Sequence, residues 1–144
     1  MELLVTDYNN PDGTKLATLW PSVEKALKAL TLQLKASDQA AIKGSLIFDP
    51  VGNNLAIEHA LKPLGWTGSV KIHRDYQFLG KGVDFEKQGV IAEAQFSNYP
   101  FLLNNVIRSF LFSKLGVALN GNSPEALLLI TKAKVFPASN STLY

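Results

Sequence analysis

Two acids and an amide in the stretch VDFEKQGVIAEAQFSNYP, residues 83–100, have types and spacing that could support phosphodiester hydrolysis. Asp84 and Glu93 lie nine positions apart, and Gln95 follows Glu93 after one residue. Neighbouring carboxylates repel each other unless a cation or a proton lies between them, and a hard ion such as Mg²⁺ prefers oxygen ligands. Such an ion polarises a phosphoryl oxygen and lowers the pKa of a bound water, while Gln95 would orient the attacking water.

A β-hairpin is the element that would bring the two acids together. Asp84 ends a short apolar segment, residues 86–89 predict a turn with Gly89 at positive φ, and the strand resumes at residue 90. Side chains alternate along a strand, which predicts one core-facing set: Val90, Ala92, Ala94 and Phe96. The opposite set is Ile91, Glu93, Gln95 and Ser97. Pairing across the turn would place Asp84 beside Glu93.

Spacing alone leaves other interpretations open. An acid pair near a turn is more often a solvated surface or a local ion pair, here with Lys81 or Lys87. Many metal-dependent nucleases also carry Lys where this chain has Gln95. An amide cannot carry charge or take up a proton near neutral pH, although it can donate to or accept from a water. If the site is catalytic, the metal must therefore supply more of the activation.

The elements before the hairpin alternate between strand and helix patterns. We expect a strand over residues 2–6, and an amphipathic helix over residues 21–34 with Pro21 in its first turn. LIFDPVGNN, residues 46–54, predicts a strand and then a turn, with a short helix over residues 54–61. A strand of mixed character is expected over residues 69–79.

A helix over residues 100–115 should follow the acid pair, ended by Gly116. The expected buried residues are Leu102, Leu103, Val106, Ile107, Phe110 and Leu111. Asn104 and Arg108 should point outward, and an outward Phe112 could serve as a dimer contact. Residues 125–136 predict a buried strand. These elements indicate an α/β fold, a mixed sheet flanked by helices.

Composition limits the classes of protein that need consideration. The chain has 144 residues, 47% of them apolar and 18% charged, which suits one domain over residues 1–144. No cysteine is present, so disulfides and Cys-based zinc sites are excluded. The start, MELLVTDYNN, lacks the apolar run of a signal peptide, and no apolar stretch approaches a membrane span. We expect a cytoplasmic protein with no membrane partner. A net charge of +2 leaves nucleic acid open as a partner.

Three blocks of uncommon sequence closely resemble the BglII family of type II restriction endonucleases. They are KASDQAAIKGSLIFDPVGNN at 35–54, EAQFSNYPFLLNNVIRS at 93–109 and FPASNSTLY at 136–144. The resemblance covers nearly the whole chain and weakens around residues 9–20 and 113–124. The family belongs to the PD-(D/E)xK-like nuclease superfamily, and its active-site pattern falls on Asp84, Glu93 and Gln95. Gln95 is then this subfamily's variant of the Lys position.

The resemblance implies a restriction-endonuclease-like core and a homodimer that cuts both strands of double-stranded DNA at the palindrome AGATCT, with Mg²⁺ as cofactor. It places the cation on Asp84 and the backbone carbonyl of Ala94, with Glu93 as a further ligand. A two-fold dimer suits a palindrome because the two symmetry axes can coincide.

The resemblance also suggests DNA contacts. Ser97 and Asn98 directly follow the catalytic strand, and Asn140 and Ser141 lie in a segment similar to the family's recognition loop. Arg108 is a candidate for a phosphate contact. Ordinary alternatives remain: Asn98 as a helix cap before Pro100, a plain polar loop around Asn140, and a solvated Arg108.

The relatives continue beyond the point that corresponds to Tyr144, so a C-terminal part looks absent. This leaves three hypotheses: a sequence-specific endonuclease, a shortened relative that binds DNA or metal without turnover, and a domain whose acid pair is structural.

Overall fold

The computed structural model describes residues 3, 5–6, 11–96 and 99–132. Three α-helices are present in these ranges: α1 (Lys15–Lys28), α2 (Pro50–Leu61) and α3 (Tyr99–Lys114). The strands are β1 (Leu34–Ala36), β2 (Leu46–Phe48), β3 (Thr67–Lys71), β4 (Gly82–Lys87), β5 (Val90–Gln95) and β6 (Ala126–Thr131). In this part of the chain, no helix has both the length and the apolarity needed to cross a bilayer.

A mixed sheet organises the described residues. Its strand order is β3-β4-β5-β6, with antiparallel pairing from β3 to β5 and parallel pairing between β5 and β6. Parallel neighbours need a crossover connection, which α3 provides between β5 and β6. β1 and β2 form a separate antiparallel ladder. The predicted α/β fold with a mixed sheet is thus confirmed.

Two apolar clusters cover the two faces of β5, and they bury the residues of this strand on both sides. Val90 and Ala92 belong to a cluster that includes Val23 of α1 and Leu61 of α2. Ile91 belongs to a second cluster, which includes Phe112 of α3. The alternation predicted for β5 is correct, and the face that carries Glu93 is covered by α3.

The first helix begins and ends earlier than predicted. α1 runs over Lys15–Lys28, so Pro21 lies inside it and not in its first turn. The backbone N–H of Lys15 donates to the Glu125 carboxylate, a distant contact that local sequence cannot reveal. Of the residues predicted as the end of this helix, Leu34 instead begins β1, which pairs with β2, and residues 29–33 lie outside both elements. The predicted strand over residues 2–6 is wrong at residues 3, 5 and 6; the others lie outside the described residues.

Two further boundaries differ from expectation. The predicted turn in residues 49–54 is the start of α2, because the Asp49 side chain accepts a hydrogen bond from Val51 N–H at 3.2 Å and Pro50 occupies the first turn. The strand predicted over residues 69–79 ends at Lys71. Pairing with β4 stops there, and a 3-10 helix, Arg74–Leu79, makes the connection.

The orientation of α3 is largely the reverse of the prediction. Asn104 is exposed as expected, and Leu102 and Leu111 are half-buried. However, four residues predicted to be buried are 46–63% exposed: Leu103, Val106, Ile107 and Phe110. Phe112, predicted to point outward as a dimer contact, is fully buried. α3 is apolar around much of its circumference, so periodicity could not identify the packed face.

Candidate active site

The predicted hairpin forms, with a turn shorter than the predicted residues 86–89, and it places Asp84 beside Glu93. Phe85 pairs with Ala92, so the next positions along the two strands are Asp84 and Glu93. The turn itself consists of Gln88 and Gly89, both at positive φ (52° and 86°), which is typical of a tight hairpin turn. Asp84 is exposed, and its Oδ2 accepts a hydrogen bond from Ala94 N–H at 2.9 Å.

Glu93 is a buried carboxyl group, only 4% exposed on the α3 side of the sheet. Burial raises the pKa of Glu93 from 4.5 to about 7 because a charged carboxylate is poorly solvated there. The Arg108 charge opposes this rise, the Asp84 charge adds to it, and hydrogen bonds from Arg108 and the Asp84 backbone oppose it. Burial therefore favours the protonated form of Glu93 at higher pH than is usual for a glutamate.

Glu93 forms its ion pair with Arg108, not with Lys81 or Lys87. Arg108 Nη2 donates to Glu93 Oε1, and the Arg108 side chain is only 15% exposed. Lys87 instead donates to the backbone carbonyl of Leu64. The outward position predicted for Arg108 is wrong, because α3 turns this side chain towards the sheet to meet a buried carboxylate. Its phosphate contact stays a prediction.

Gln95 ends β5, two residues after Glu93 and on the same side of the strand. It is half-buried and lies opposite Thr131 of β6 in the parallel ladder. Three predicted site residues, Asp84, Glu93 and Gln95, are thus carried by two neighbouring strands. The other predicted DNA-contacting residues lie outside the described residues: Ser97, Asn98, Asn140 and Ser141.

The donor atoms at the acid pair fit Mg²⁺. Within the described ranges, no group of three or more His, Cys, Asp or Glu side chains could hold a metal ion, so any site must include backbone or water oxygens. Ala94 directs its N–H towards Asp84, and the N–H and C=O of a strand residue point to the same side. The Ala94 carbonyl therefore faces the Asp84 side. Two carboxylates and a carbonyl are hard oxygen donors, as Mg²⁺ prefers.

Glu93 makes the stability of the metal-free protein depend on pH. Its folded pKa of about 7 exceeds the unfolded value of 4.5, so the native state binds more protons between these values. The contribution is fully present below about pH 4.5 and is lost as pH rises through 7. We expect chemical denaturation in EDTA to show a loss of about 3 kcal/mol over this window.

Glu93→Gln should remove this component of the pH dependence. The matched control is Glu58→Gln, which removes an exposed carboxyl on α2 and retains Glu93. A Glu93→Gln protein with the pH profile of the wild type would show that Glu93 is not the titrating group.

Sequence reasoning missed the residues that surround Glu93 from outside the hairpin. The sequence predicts an outward Arg108, either at a DNA phosphate or in solvent, and an outward Phe112, and it gives no sign of a role for Gly80. Gly80 has φ +113°, and a Cβ at this position would lie 2.6 Å from Arg108 Nη1. An Arg four residues before a Phe on a helix was the available signal, because such a pair can stack.

Comparison with known proteins identifies the class of fold. The chain superposes on the crystal structure of restriction endonuclease BglII complexed with a DNA 16-mer, with a TM-score of 0.91 and 46% identity, covering 100% of this chain and 66% of that one. Free BglII gives a TM-score of 0.69 at 42% identity, again covering 100% and 66%. The fold is that of a restriction endonuclease, as the sequence predicted.

The family follows from sequence. Residues 11–144 match the family described as restriction endonuclease BglII/BglIII. The type II restriction enzyme BglII of Bacillus subtilis is 46% identical over 144 residues, which is 100% of this chain and 65% of that protein. The chain belongs to the BglII/BglIII restriction endonuclease family, and it spans slightly less than two thirds of the length of these relatives.

Proposed function

We propose that residues 1–144 form one restriction-endonuclease domain that hydrolyses phosphodiester bonds in both strands of duplex DNA. The observation that carries this proposal is the pairing of exposed Asp84 with buried Glu93 at the hairpin. Membership of the BglII/BglIII family supports it.

Different residues of the site would bind the metal ion and orient the attacking water. Asp84, Glu93 and the Ala94 carbonyl would hold Mg²⁺, which, when bound, polarises a phosphoryl oxygen and lowers the pKa of a water ligand. The Ala94 N–H fixes the Asp84 carboxylate through a 2.9 Å hydrogen bond. Gln95 acts through its amide, which orients a water by accepting from it or donating to it and does not take its proton.

The recognition site we propose is AGATCT. The solved relative named as a complex with a DNA 16-mer supports duplex DNA as the partner. Ser97, Asn98, Asn140 and Ser141 would read base edges, since Asn pairs bidentately with adenine and Ser serves several bases. Arg108, the candidate for a phosphate contact, lies against Glu93.

A homodimer is the form that would cut a palindrome in both strands. The exposed apolar face of α3, formed by Leu103, Val106, Ile107 and Phe110, supports this assembly. These residues recur at intervals of three and four, so they form one continuous stripe on the helix. A second copy of the same stripe is its proposed partner, because an apolar surface of this kind is typical of interaction sites.

The time course of plasmid cleavage tests the proposed function. A supercoiled plasmid with one AGATCT site should become linear in Mg²⁺, and it should remain supercoiled in EDTA. Linear product with little accumulated nicked circle is expected if two active sites act on the two strands in one binding event. A folded chain that leaves the plasmid intact in Mg²⁺ would refute the proposal.

A further inference from the structure

Arg108 is a largely buried cation whose hydrogen-bonding capacity is only partly used. Its side chain is 15% exposed, and it donates to Glu93 Oε1. Its Nε is buried and has no hydrogen-bond partner among the described residues. Burying a guanidinium is costly unless it is paired, and each orphaned donor adds to that cost. A long Arg side chain on a helix can usually extend to solvent instead. Its burial against Glu93 therefore points to a role at that carboxylate.

Two contacts fix the guanidinium in this position. Its Cζ lies 5.8 Å from the centroid of the Phe112 ring, one helical turn further along α3. On another side lies the backbone of Gly80, where a Cβ would come within 2.6 Å of Arg108 Nη1. Neither Phe112 nor Gly80 accepts a hydrogen bond from Arg108 Nη2, the atom that donates to Glu93. The aromatic ring and the bare glycine thus leave Nη2 free to hold Glu93 Oε1.

The charges of the neighbouring residues indicate what Arg108 could contribute to the site. Two carboxylates, Asp84 and Glu93, lie side by side, and the third residue of the motif, Gln95, is uncharged. Within the described residues, the cation that contacts Glu93 comes from α3 and not from the catalytic strands. A group that holds one oxygen of a carboxylate restricts rotation of the whole group, and partners of this kind orient metal ligands in proteins.

We propose that Arg108 is a positioning residue that fixes the Glu93 carboxylate for the divalent cation and supplies the fixed positive charge that Gln95 cannot. The proposal rests on the proposed function, since it concerns the same site. It assigns Arg108 to the interior of the active site instead of to a DNA phosphate.

Magnesium affinity is the first readout, because it needs no cleavage. In calorimetric titrations with Mg²⁺ alone, Arg108→Met should lower the affinity about 10- to 100-fold, the range typical of lost outer-shell partners. Arg108→Lys should fall between, since it keeps the charge without the planar fork. The matched control is Lys114→Met, which removes an exposed cation that also lies over a ring of α3, that of Phe110, at 5.4 Å. Unchanged or tighter Mg²⁺ binding by Arg108→Met would overturn the proposal.

Gly80→Ala tests the position of Arg108 while the arginine itself is retained. An added Cβ would lie 2.6 Å from Arg108 Nη1, so the guanidinium or the backbone at residue 80 must shift, and Mg²⁺ affinity should fall as in Arg108→Met. Gly121→Ala is the control, because Gly121 also has positive φ (+81°) but has nothing within 4 Å of an added Cβ. Wild-type affinity in Gly80→Ala would overturn the claim that the fixed position matters. Thermal melting of each variant separates these effects from loss of fold.

Cleavage kinetics separate this proposal from the proposed function. Arg108→Met should lower kcat with a smaller change in KM for DNA, because it acts on the metal site and not on a phosphate. A change confined to KM would overturn the positioning role and favour a phosphate contact. If the wild type binds Mg²⁺ but does not cut DNA, the proposed function fails while the titrations still decide the role of Arg108. If the wild type cuts and Arg108→Met cuts equally well, only the role of Arg108 fails.

Discussion

Replacing Asp84 with Asn should reduce DNA cleavage at least about 10³-fold, equivalent to about 4 kcal/mol in the activation barrier. Asp84 is the exposed carboxylate of the site, and its Oδ2 is held by Ala94 N–H. Asn keeps the size of the side chain but removes the negative charge that would bind Mg²⁺. DNA binding should persist or tighten, because a charge that repels phosphate is lost. Single-turnover cleavage and a binding titration on the same duplex measure the two effects.

Asp38→Asn is the matched control for this variant. Asp38 is an exposed acid remote in sequence from the hairpin, so its replacement removes the same charge without touching the site. Its cleavage rate should remain within a few-fold of the wild type. Asp84→Asn protein that cuts at the wild-type rate would show that the site has been assigned to the wrong residues.

Replacing Ile107 with Glu should convert the proposed dimer to monomers. Ile107 lies in the exposed stripe of α3, where it is 50% exposed in the single chain. A two-fold interface contains each residue twice, so one substitution introduces two carboxylates into an apolar contact. Burying unpaired charge costs several kcal/mol, so the dimer dissociation constant should rise at least about 100-fold. Analytical ultracentrifugation over a range of concentrations measures it.

The control is Val51→Glu, which adds the same charge at a residue of α2 that is 66% exposed. It should sediment like the wild type. With Ile107→Glu, plasmid cleavage should slow and should accumulate nicked circles, because the two strands would then be cut in separate events. A wild-type dimer constant in Ile107→Glu would place the interface away from this face of α3.

The hairpin could be predicted from sequence because its signals are local. Gly89 marks the turn, and alternation along β5 assigns Glu93 and Gln95 to one face. Glu86 shows where local signals end. It was assigned to the turn, yet it lies in β4, is 1% exposed, and accepts hydrogen bonds from Gly89 N–H at 2.8 Å and from Asn122 Nδ2 at 3.0 Å. Asn122 lies 36 residues away, and nothing in the hairpin sequence indicates it.

The packing of α3 could not be predicted, for a related reason. The helix has apolar residues on two sides, and either could face the sheet. The observed choice buries Phe112 and brings Arg108 to Glu93, and it leaves the Leu103–Phe110 side exposed. In the observed orientation, the buried Glu93 carboxylate has a charged partner on α3. The number of apolar residues on each side of the helix favours the opposite orientation. The spacing of apolar residues in α3 does not show that the helix packs against a strand that carries a buried carboxylate.

Mapping the ends of the DNA products tests the central claim most directly. A plasmid with one AGATCT site would be incubated with the chain in Mg²⁺, and both strands of the product would be sequenced at their ends. We predict that every break lies within AGATCT, at symmetric positions on the two strands, and that EDTA abolishes all breaks. Breaks scattered over the plasmid, or breaks that persist in EDTA, would contradict a metal-dependent endonuclease specific for this palindrome.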